Sequence, residues 1–322
     1  MRLRRPEAQR MLLTDHQPGF RWLACLHMEL DLAQLRALQA AVDGGSLDAA
    51  ARQLHVTPSA VSQRLKALEQ ATGQLLLVRS RPVRVTEPGR ALLRLARQLD
   101  LLTTDAVREL APELAGPVVL PLAVNADSLA TWLVPALAPL QDEDVRLDLQ
   151  RADQDATAAL LREGRVVAAV TAAAAPVGGC TSTPLGVLRY RPAAVPAFVD
   201  RWFPDGPTAA ALGRAPVLHY DADDDLQRGW LRRRSRGRAD PPAHHVPSTE
   251  GFVHAVLEGL GWAMLSDLQL ADLRSRSAVV LLDPRARVDV PLHWQRWKVR
   301  STSLERLSEV VRAGARRALH QP

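Results

Sequence analysis

The stretch AAARQLHVTPSAVSQRLKALE, residues 49–69, decides the fold of the N-terminal part of the chain. Its alanine-rich first half predicts a helix that a second helix can approach closely. Thr57 and Pro58 then place an N-cap residue before a proline at the first helical position, which predicts a new helix up to about Ala71. Because only a short connection separates the two helices, the stretch predicts a helix-turn-helix.

The residues on either side of this stretch extend the motif. Upstream, apolar residues from Leu32 to Val42 recur at helical spacing and stop at Gly44, which predicts a first helix. Downstream, the extended run 74–78 and the arginines around Pro82 predict a small β-wing. Thr86 then begins a helix of about 25 residues with a leucine stripe (Leu92, Leu95, Leu99 and Leu102). A stripe of this length needs a partner helix, which predicts a dimer.

Beyond Pro117 the pattern changes to short apolar strands that alternate with helices, which is typical of an α/β domain. The number of such units fits two doubly wound lobes, an architecture similar to that of periplasmic binding proteins. The insertion of the second lobe into the first does not follow from the periodicity. The predicted organisation is residues 28–85 for the winged helix-turn-helix, 86–114 for the linker helix and 117–320 for the α/β domain, with lobe I at about 117–191 and 275–320 and lobe II at about 192–274. The predicted strands are Val118 to Val124, Val145 to Leu149, Val166 to Val170, Val217 to His219, His244 to Val246, Trp262 to Leu265, Val279 to Leu282 and Val290 to Val299.

Composition excludes several classes of protein. Of the 322 residues 47% are apolar and 24% charged, which is typical of a folded chain. The longest nearly uncharged small-residue run, residues 166–179, is shorter than the ~18 residues of a membrane-spanning helix. Two cysteines, Cys25 and Cys180, exclude a disulfide-stapled scaffold. We therefore expect a cytoplasmic protein.

Residues 1–27 stand apart from the rest of the chain. They combine several arginines with Pro6 and Pro18 and show no amphipathic period. They also lack the apolar region and cleavage site of a secretory signal. This segment is predicted to be a disordered extension or the product of a start codon placed too early, with a basic DNA-contacting arm as the functional alternative.

The third helix carries a polar outer face opposite Val61, Leu65 and Leu68. Hydroxyl, amide and guanidinium groups of this kind match base edges in the major groove. An ordinary solvated helix face explains the same pattern. The net charge of +6 decides little, because arginine is abundant throughout the chain. What favours a DNA-binding surface is the adjacent cluster of possible phosphate contacts, Arg79, Arg81, Arg84, Arg90, Arg94 and Arg97.

The stretch 49–69, together with Gly73, the run 76–79 and the run 86–89, resembles the winged helix-turn-helix of LysR-type transcriptional regulators. The resemblance implies a third helix in the major groove, a wing on the DNA backbone, a dimerising linker helix and pairing of dimers into tetramers. It also implies RNA polymerase as a partner at promoter DNA. The residues that it assigns to bases are Ser59, Ser62, Gln63 and Arg64, and those that it assigns to phosphates are Thr57, Lys66, Arg79 and Arg81.

A second resemblance concerns the α/β domain. Residues 122–132, 246–252, 259–262 and 293–297 are similar to the LysG/ArgP branch of that family. Regulators of that branch sense lysine or arginine and control an exporter gene for basic amino acids. Near Asp153 this chain carries Ala152 and Gln154 where the branch has neighbouring acids.

An amino-acid ligand also fits the residue types. Asn125, Asp127 and Ser128 lie where a strand ends and a helix begins, so that free backbone N–H groups and a hydroxyl could hold a carboxylate. Helix capping explains the serines equally well, and first-turn acids commonly complement the helix dipole. The predicted effector-binding residues are Asn125, Asp127, Ser128, Thr131, Asp153, Ser248, Thr249 and Glu250.

Other features support no separate activity. The arginine run 228–238 is interpreted as a solvated loop, with a second nucleic-acid patch as the alternative. His244, His245 and His254 lack zinc-site spacing, and no nucleophile elbow, Walker A or dinucleotide motif is present. We therefore expect no metal, no cofactor and no catalysis. Three other functions stay open: a LysR-type regulator of a different small-molecule effector, a ligand-independent architectural DNA-binding protein, and a binding protein similar to periplasmic receptors.

Overall fold

The structure is a computed structural model that describes residues 29–321 apart from residues 79, 115 and 238. The chain divides into two compact units between Ala96 and Arg97. The interpretations of residues 1–27 lie outside the described residues.

The N-terminal unit begins with three helices, α1 (Leu32–Asp43), α2 (Leu47–Gln53) and α3 (Pro58–Thr72). Each begins after a side chain that accepts a hydrogen bond from the first turn: Asp31, Ser46 and Thr57. The buried residues of α3 are Val61, Leu65 and Leu68, as the helical period predicted. The helix-turn-helix prediction is thus confirmed, with the end of α3 at the left-handed Gly73.

The wing follows as two short antiparallel strands, β1 (Leu77–Val78) and β2 (Arg84–Val85). The Glu69 carboxylate joins α3 to the wing, because its Oε1 accepts from the backbone N–H of Leu76 at 2.9 Å. Helix α4 (Glu87–Leu110) begins next, and the Thr86 hydroxyl accepts from the Gly89 N–H at 3.2 Å. The predicted wing and linker helix are both present.

The described part of the C-terminal unit contains nine strands: β3 (Val118–Val124), β4 (Val145–Arg151), β5 (Ala168–Thr171), β6 (Cys180–Ala194), β7 (Val217–His219), β8 (Ala243–His245), β9 (Ala263–Ser266), β10 (Val280–Leu281) and β11 (Val288–Trp297). Seven of them form one sheet of order β10-β6-β11-β5-β3-β4, in which β9 also pairs with β6. Strands β3 and β4, and β3 and β5, are parallel, whereas β11 and β6 are antiparallel. A separate parallel pair, β7 and β8, lies outside this sheet.

Helices pack against these strands. The first is a composite helix made of four consecutive turns, Ala126–Ser128 (α), Leu129–Leu133 (π), Val134–Leu137 (α) and Ala138–Leu140 (3-10). The others are α5 (Gln154–Arg162), α6 (Pro196–Trp202), α7 (Ala209–Leu212), α8 (Leu226–Ser235), α9 (Thr249–Leu257), α10 (Asp267–Ser275) and α11 (Thr302–Ala318). A short 3-10 turn, Pro112–Leu114, follows α4.

Two elements correct the sequence-based interpretation. Strand β6 was not predicted, because Pro184, Gly186 and Pro192 interrupt its apolar alternation. It pairs with β11, β9 and β10 in the seven-stranded sheet, while β7 and β8 form a separate pair. The arginine run 228–238, interpreted as a loop, lies largely on α8, whose buried face includes Trp230 and Leu231.

The core of the C-terminal unit contains large aromatic side chains. Trp262, Trp294 and Trp297 are fully buried. The Trp294 Nε1 donates to the Ser308 hydroxyl at 3.0 Å, which ties β11 to α11. Among the described residues, no helix is both long and apolar enough to cross a membrane.

Gly314→Ala is expected to destabilise the C-terminal unit by about 1–2 kcal/mol. A Cβ at Gly314 would lie 2.1 Å from the Ala136 Cβ on the composite helix. Alanine gains up to about 1 kcal/mol of helix propensity, but overpacking costs roughly 1–3 kcal/mol, so the clash decides the sign. Urea unfolding followed by tryptophan fluorescence measures the change. Gly116→Ala, where nothing lies within 4 Å, is the control, and equal stability of the two variants would contradict the prediction.

Candidate functional site

The outer face of α3 is the first candidate surface. Ser59, Gln63 and Lys66 are exposed, while Ser62 and Arg64 are half-buried. Thr57 caps the helix through a 3.2 Å hydrogen bond from the Ala60 N–H to its hydroxyl oxygen. None of these residues is among the buried positions of α3. In the wing, Arg81 is exposed, whereas Arg79 lies outside the described residues.

The second candidate is a cleft of about 680 Å³ in the C-terminal unit. One side, the strand side, is formed where β3 and β4 end, at Asn125 and Arg151. The other, the loop side, follows β7 and includes the starts of α8 and α9. Ligands of α/β proteins commonly bind beyond the carboxyl ends of parallel strands. The lining residues are Asn125, Ala126, Asp127, Arg151, Ala152, Asp153, Ala156, Tyr190, Tyr220, Asp221, Asp223, Asp224, Leu226, Gln227, Thr249, Phe252, Met264 and Gln269.

A hydrogen-bonded pair lies in this cleft. The Tyr190 hydroxyl donates to the Asp127 Oδ2 at 2.5 Å. Burial raises the pKa of the Asp127 carboxyl, the Tyr190 hydrogen bond partly offsets this, and the nearby Asp224 raises the pKa further. Burial and the Asp127 charge hold the pKa of Tyr190 well above its ordinary value. Ionised Asp127 is therefore costly here unless a positive charge approaches it.

The loop side carries an acidic segment, residues 220–225. The Asp224 carboxylate is fixed by two backbone donors, the N–H of Tyr220 at 2.8 Å and that of Leu226 at 3.1 Å. Asp221 accepts from the Asp223 N–H at 2.9 Å. Sequence reasoning missed this segment, although the acid-rich run directly after a predicted strand was a usable signal.

One contact joins the two sides of the cleft. The Arg151 Nη1 donates to the Tyr220 hydroxyl, and the Arg151 Cζ lies 5.7 Å from the centre of the Tyr220 ring. Sequence reasoning missed both residues, together with Tyr190, because nothing local relates them.

The predicted effector residues divide into two groups. Asn125, Asp127, Asp153 and Thr249 line the cleft. Ser128, Thr131, Ser248 and Glu250 are not among the lining residues.

Each member of the second group has its own surroundings. Ser128 is fully buried, and its hydroxyl has no partner among the described residues. The Thr131 hydroxyl donates to the Asp127 carbonyl at 2.6 Å. Ser248 caps α9 by accepting from the Gly251 N–H at 3.2 Å, and Glu250 is exposed. Within the described part of the chain, no group of three or more His, Cys, Asp or Glu side chains is placed to hold a metal.

The chain matches two sequence families in consecutive segments. Residues 32–90 match the bacterial regulatory helix-turn-helix protein, lysR family. Residues 119–316 match the LysR substrate binding domain.

Similar proteins cover nearly the whole chain. The HTH-type transcriptional regulator LysG of Mycobacterium tuberculosis is 47% identical over 289 residues, 89% of this chain and 94% of its own length. The crystal structure of ArgP from Mycobacterium tuberculosis superposes with a TM-score of 0.84 at 46% identity, over 91% of this chain and 99% of that one. The structure of full-length LysG from Corynebacterium glutamicum with bound effector Arg superposes with a TM-score of 0.75 at 37% identity, over 90% of this chain and 100% of that one.

Asp127→Asn is expected to raise the free energy of unfolding at pH 7. An acid whose folded-state pKa is raised stabilises the fold below its unfolded pKa, and that contribution is lost as pH rises through the folded-state value. The gain over wild type should therefore fade as the pH falls toward 3.8, the ordinary value for aspartate. Denaturant unfolding from about pH 3.5 to about pH 7, a range that begins near the ordinary pKa of aspartate, measures the difference. A gain that does not change with pH would contradict the assignment, and exposed Asp142→Asn controls for the loss of one charge.

Proposed function

The chain belongs to the LysR family of bacterial helix-turn-helix regulators, and from this premise we propose that it binds promoter DNA and senses a basic amino acid in the cleft. A regulator of chromosomal DNA works in the cytoplasm. By analogy with the relatives named for lysine export, the controlled gene encodes an exporter of basic amino acids.

The DNA-binding role is supported by the polar outer face of α3. Its side chains are exposed or half-buried and lie at the start of a helix that follows a tight turn. In this proposal Ser59, Ser62, Gln63 and Arg64 contact bases, whereas Thr57, Lys66, Arg79 and Arg81 contact phosphates.

The observation that carries the ligand proposal is the charge of the cleft. Five aspartates line it, Asp127, Asp153, Asp221, Asp223 and Asp224, against one arginine, Arg151. Such a cleft attracts cations and repels anions. Lysine and arginine each carry a cationic side chain, and the similar LysG structure with bound effector Arg supports this choice.

In the proposed mechanism, ligand binding in the cleft affects DNA binding by changing the populations of different arrangements of lobes I and II. A ligand that contacts both the strand side and the loop side favours the arrangement of lobes I and II in which both contacts form. Homodimers joined through α4 pair into tetramers, so that a change in lobe arrangement alters the spacing of the DNA-binding units. RNA polymerase then meets a differently bent promoter. No cofactor enters this mechanism.

Gln63→Ala and Lys66→Ala are expected to affect DNA binding differently. Losing a base contact reduces the preference for operator over scrambled DNA by about 1–3 kcal/mol. Losing a phosphate contact weakens binding to operator and scrambled DNA alike. It also lowers the slope of the logarithm of the binding constant against the logarithm of the salt concentration by about 0.9. Fluorescence anisotropy on the intergenic DNA beside the gene measures both, with exposed Gln70→Ala on the last turn of α3 as the control. Equal binding of the wild type to operator and scrambled DNA would favour the architectural alternative.

Asp223→Asn is expected to weaken arginine binding about two- to fivefold, since an exposed charge is partly screened. Its carboxylate lines the cleft, and no backbone N–H is bonded to it among the described contacts, so the fold should tolerate the change. Isothermal titration calorimetry measures the affinity. The neighbouring Asp225→Asn, which pairs with Arg232 outside the cleft, is the matched control. If both variants weaken arginine binding equally, the loss comes from the overall charge of the protein, and the assignment of Asp223 to the binding site is wrong.

A further inference from the structure

Arg151 is a positively charged residue in a cleft that is otherwise acidic. Among the described side chains that line the cleft it is the only cation, and it shares the cleft with five aspartates. A cleft with this many acids attracts a doubly charged diamine more strongly than lysine, whose carboxylate reduces its net charge. The acids by themselves therefore do not explain a preference for amino acids.

The position of Arg151 suits a carboxylate. It is the last residue of β4 and is paired in register with Val124, the last residue of β3. The backbone N–H of Ala152 donates to the Val124 carbonyl at 3.0 Å, which fixes the two strand ends side by side. The Arg151 side chain therefore leaves the backbone close to Asn125, where the composite helix starts with backbone N–H groups that favour anions.

The guanidinium of Arg151 is held by a neutral partner. Its described contacts are with the hydroxyl and ring of Tyr220, and no ion pair to it is found among the described residues. A carboxylate competes well with a phenol for a guanidinium, because charge-assisted and bidentate hydrogen bonds are the stronger ones. Arg151 is also exposed, so it can turn from Tyr220 to a ligand without a change in the core.

We propose that Arg151 determines specificity by binding the α-carboxylate of the ligand, and so selects basic amino acids over the diamines that the acids attract. This inference rests on the proposed function. In the absence of ligand the guanidinium lies on Tyr220, and on binding it exchanges the phenol for the carboxylate while the aspartates hold the cationic groups.

The test compares two ligands that differ only in the carboxylate, L-lysine and 1,5-diaminopentane. Calorimetry on the full-length wild type is expected to show tighter binding of lysine. In Arg151→Gln, lysine should bind roughly tenfold more weakly, the loss expected for one charge-assisted contact. The same variant should bind diaminopentane as tightly as the wild type does, or more tightly, because the positive charge of Arg151 no longer repels the diamine.

Two further variants make the result specific. Arg146→Gln, on the same strand but outside the cleft lining, removes one exposed positive charge and should leave the lysine-to-diamine ratio unchanged. Arg151→Lys keeps the charge without the planar fork and should keep part of the preference.

The outcomes separate this proposal from the proposed function. If the wild type binds lysine but Arg151→Gln keeps the wild-type ratio, the carboxylate is held elsewhere, for example by the backbone N–H groups after Asn125, and Arg151 is not the determinant. If the wild type binds neither lysine nor arginine, the proposed function fails and this inference fails with it. A collapse of the ratio in Arg151→Gln alone supports both.

Discussion

The C-terminal unit depends on the antiparallel pairing of β6 with β11. Ten residue pairs, from Tyr190 with Val288 to Cys180 with Trp297, hold together segments about a hundred residues apart in the chain. Beyond this ladder β6 continues and pairs with β9 and β10. Tyr190 is the residue at which β6 pairs with both β11 and β9, so its position is set from two directions. The Tyr190 hydroxyl donates to Asp127 from this position. Strand pairing therefore fixes where the Tyr190–Asp127 pair lies in the cleft.

The charge of the cleft follows from the same rigidity. Asp224 and Asp221 accept hydrogen bonds from backbone N–H groups of their own loop, and Asp153 does so at the start of α5. These carboxylates therefore cannot move far apart to relieve their repulsion. Together with the buried Asp127, whose pKa burial and the nearby Asp224 raise, they make a cleft without a cation electrostatically unfavourable. A bound cation relieves this cost, which is how fixed charges become binding free energy.

Local signals were enough for the N-terminal unit. The caps at Ser46 and Thr57, the glycine that ends α3 and the apolar period of Val61, Leu65 and Leu68 all act within one or two helical turns. The observed helices accordingly match the predicted ones closely. Every predicted strand of the C-terminal unit matches an observed strand to within about two residues at each end, because short apolar runs between polar turns also carry their own signal. Strand β6 was missed because its prolines and Gly186 break that signal.

The sequence by itself determined the helix-turn-helix, the wing, the linker helix, the α/β class and the strand ends that supply Asn125, Asp127 and Asp153. Only the tertiary structure decided that Tyr190, Tyr220, Arg151 and Asp224 lie in one cleft with those residues. It also decided that Ser128 is buried, and that Ser248 caps α9 without itself lining the cleft. The physical reason is the distance along the chain between the residues that interact. Helix caps and periodicity are energies between residues a few positions apart, which the order of the amino acids displays directly. The cleft is assembled by strand pairing and packing between distant segments, whose register no local pattern encodes.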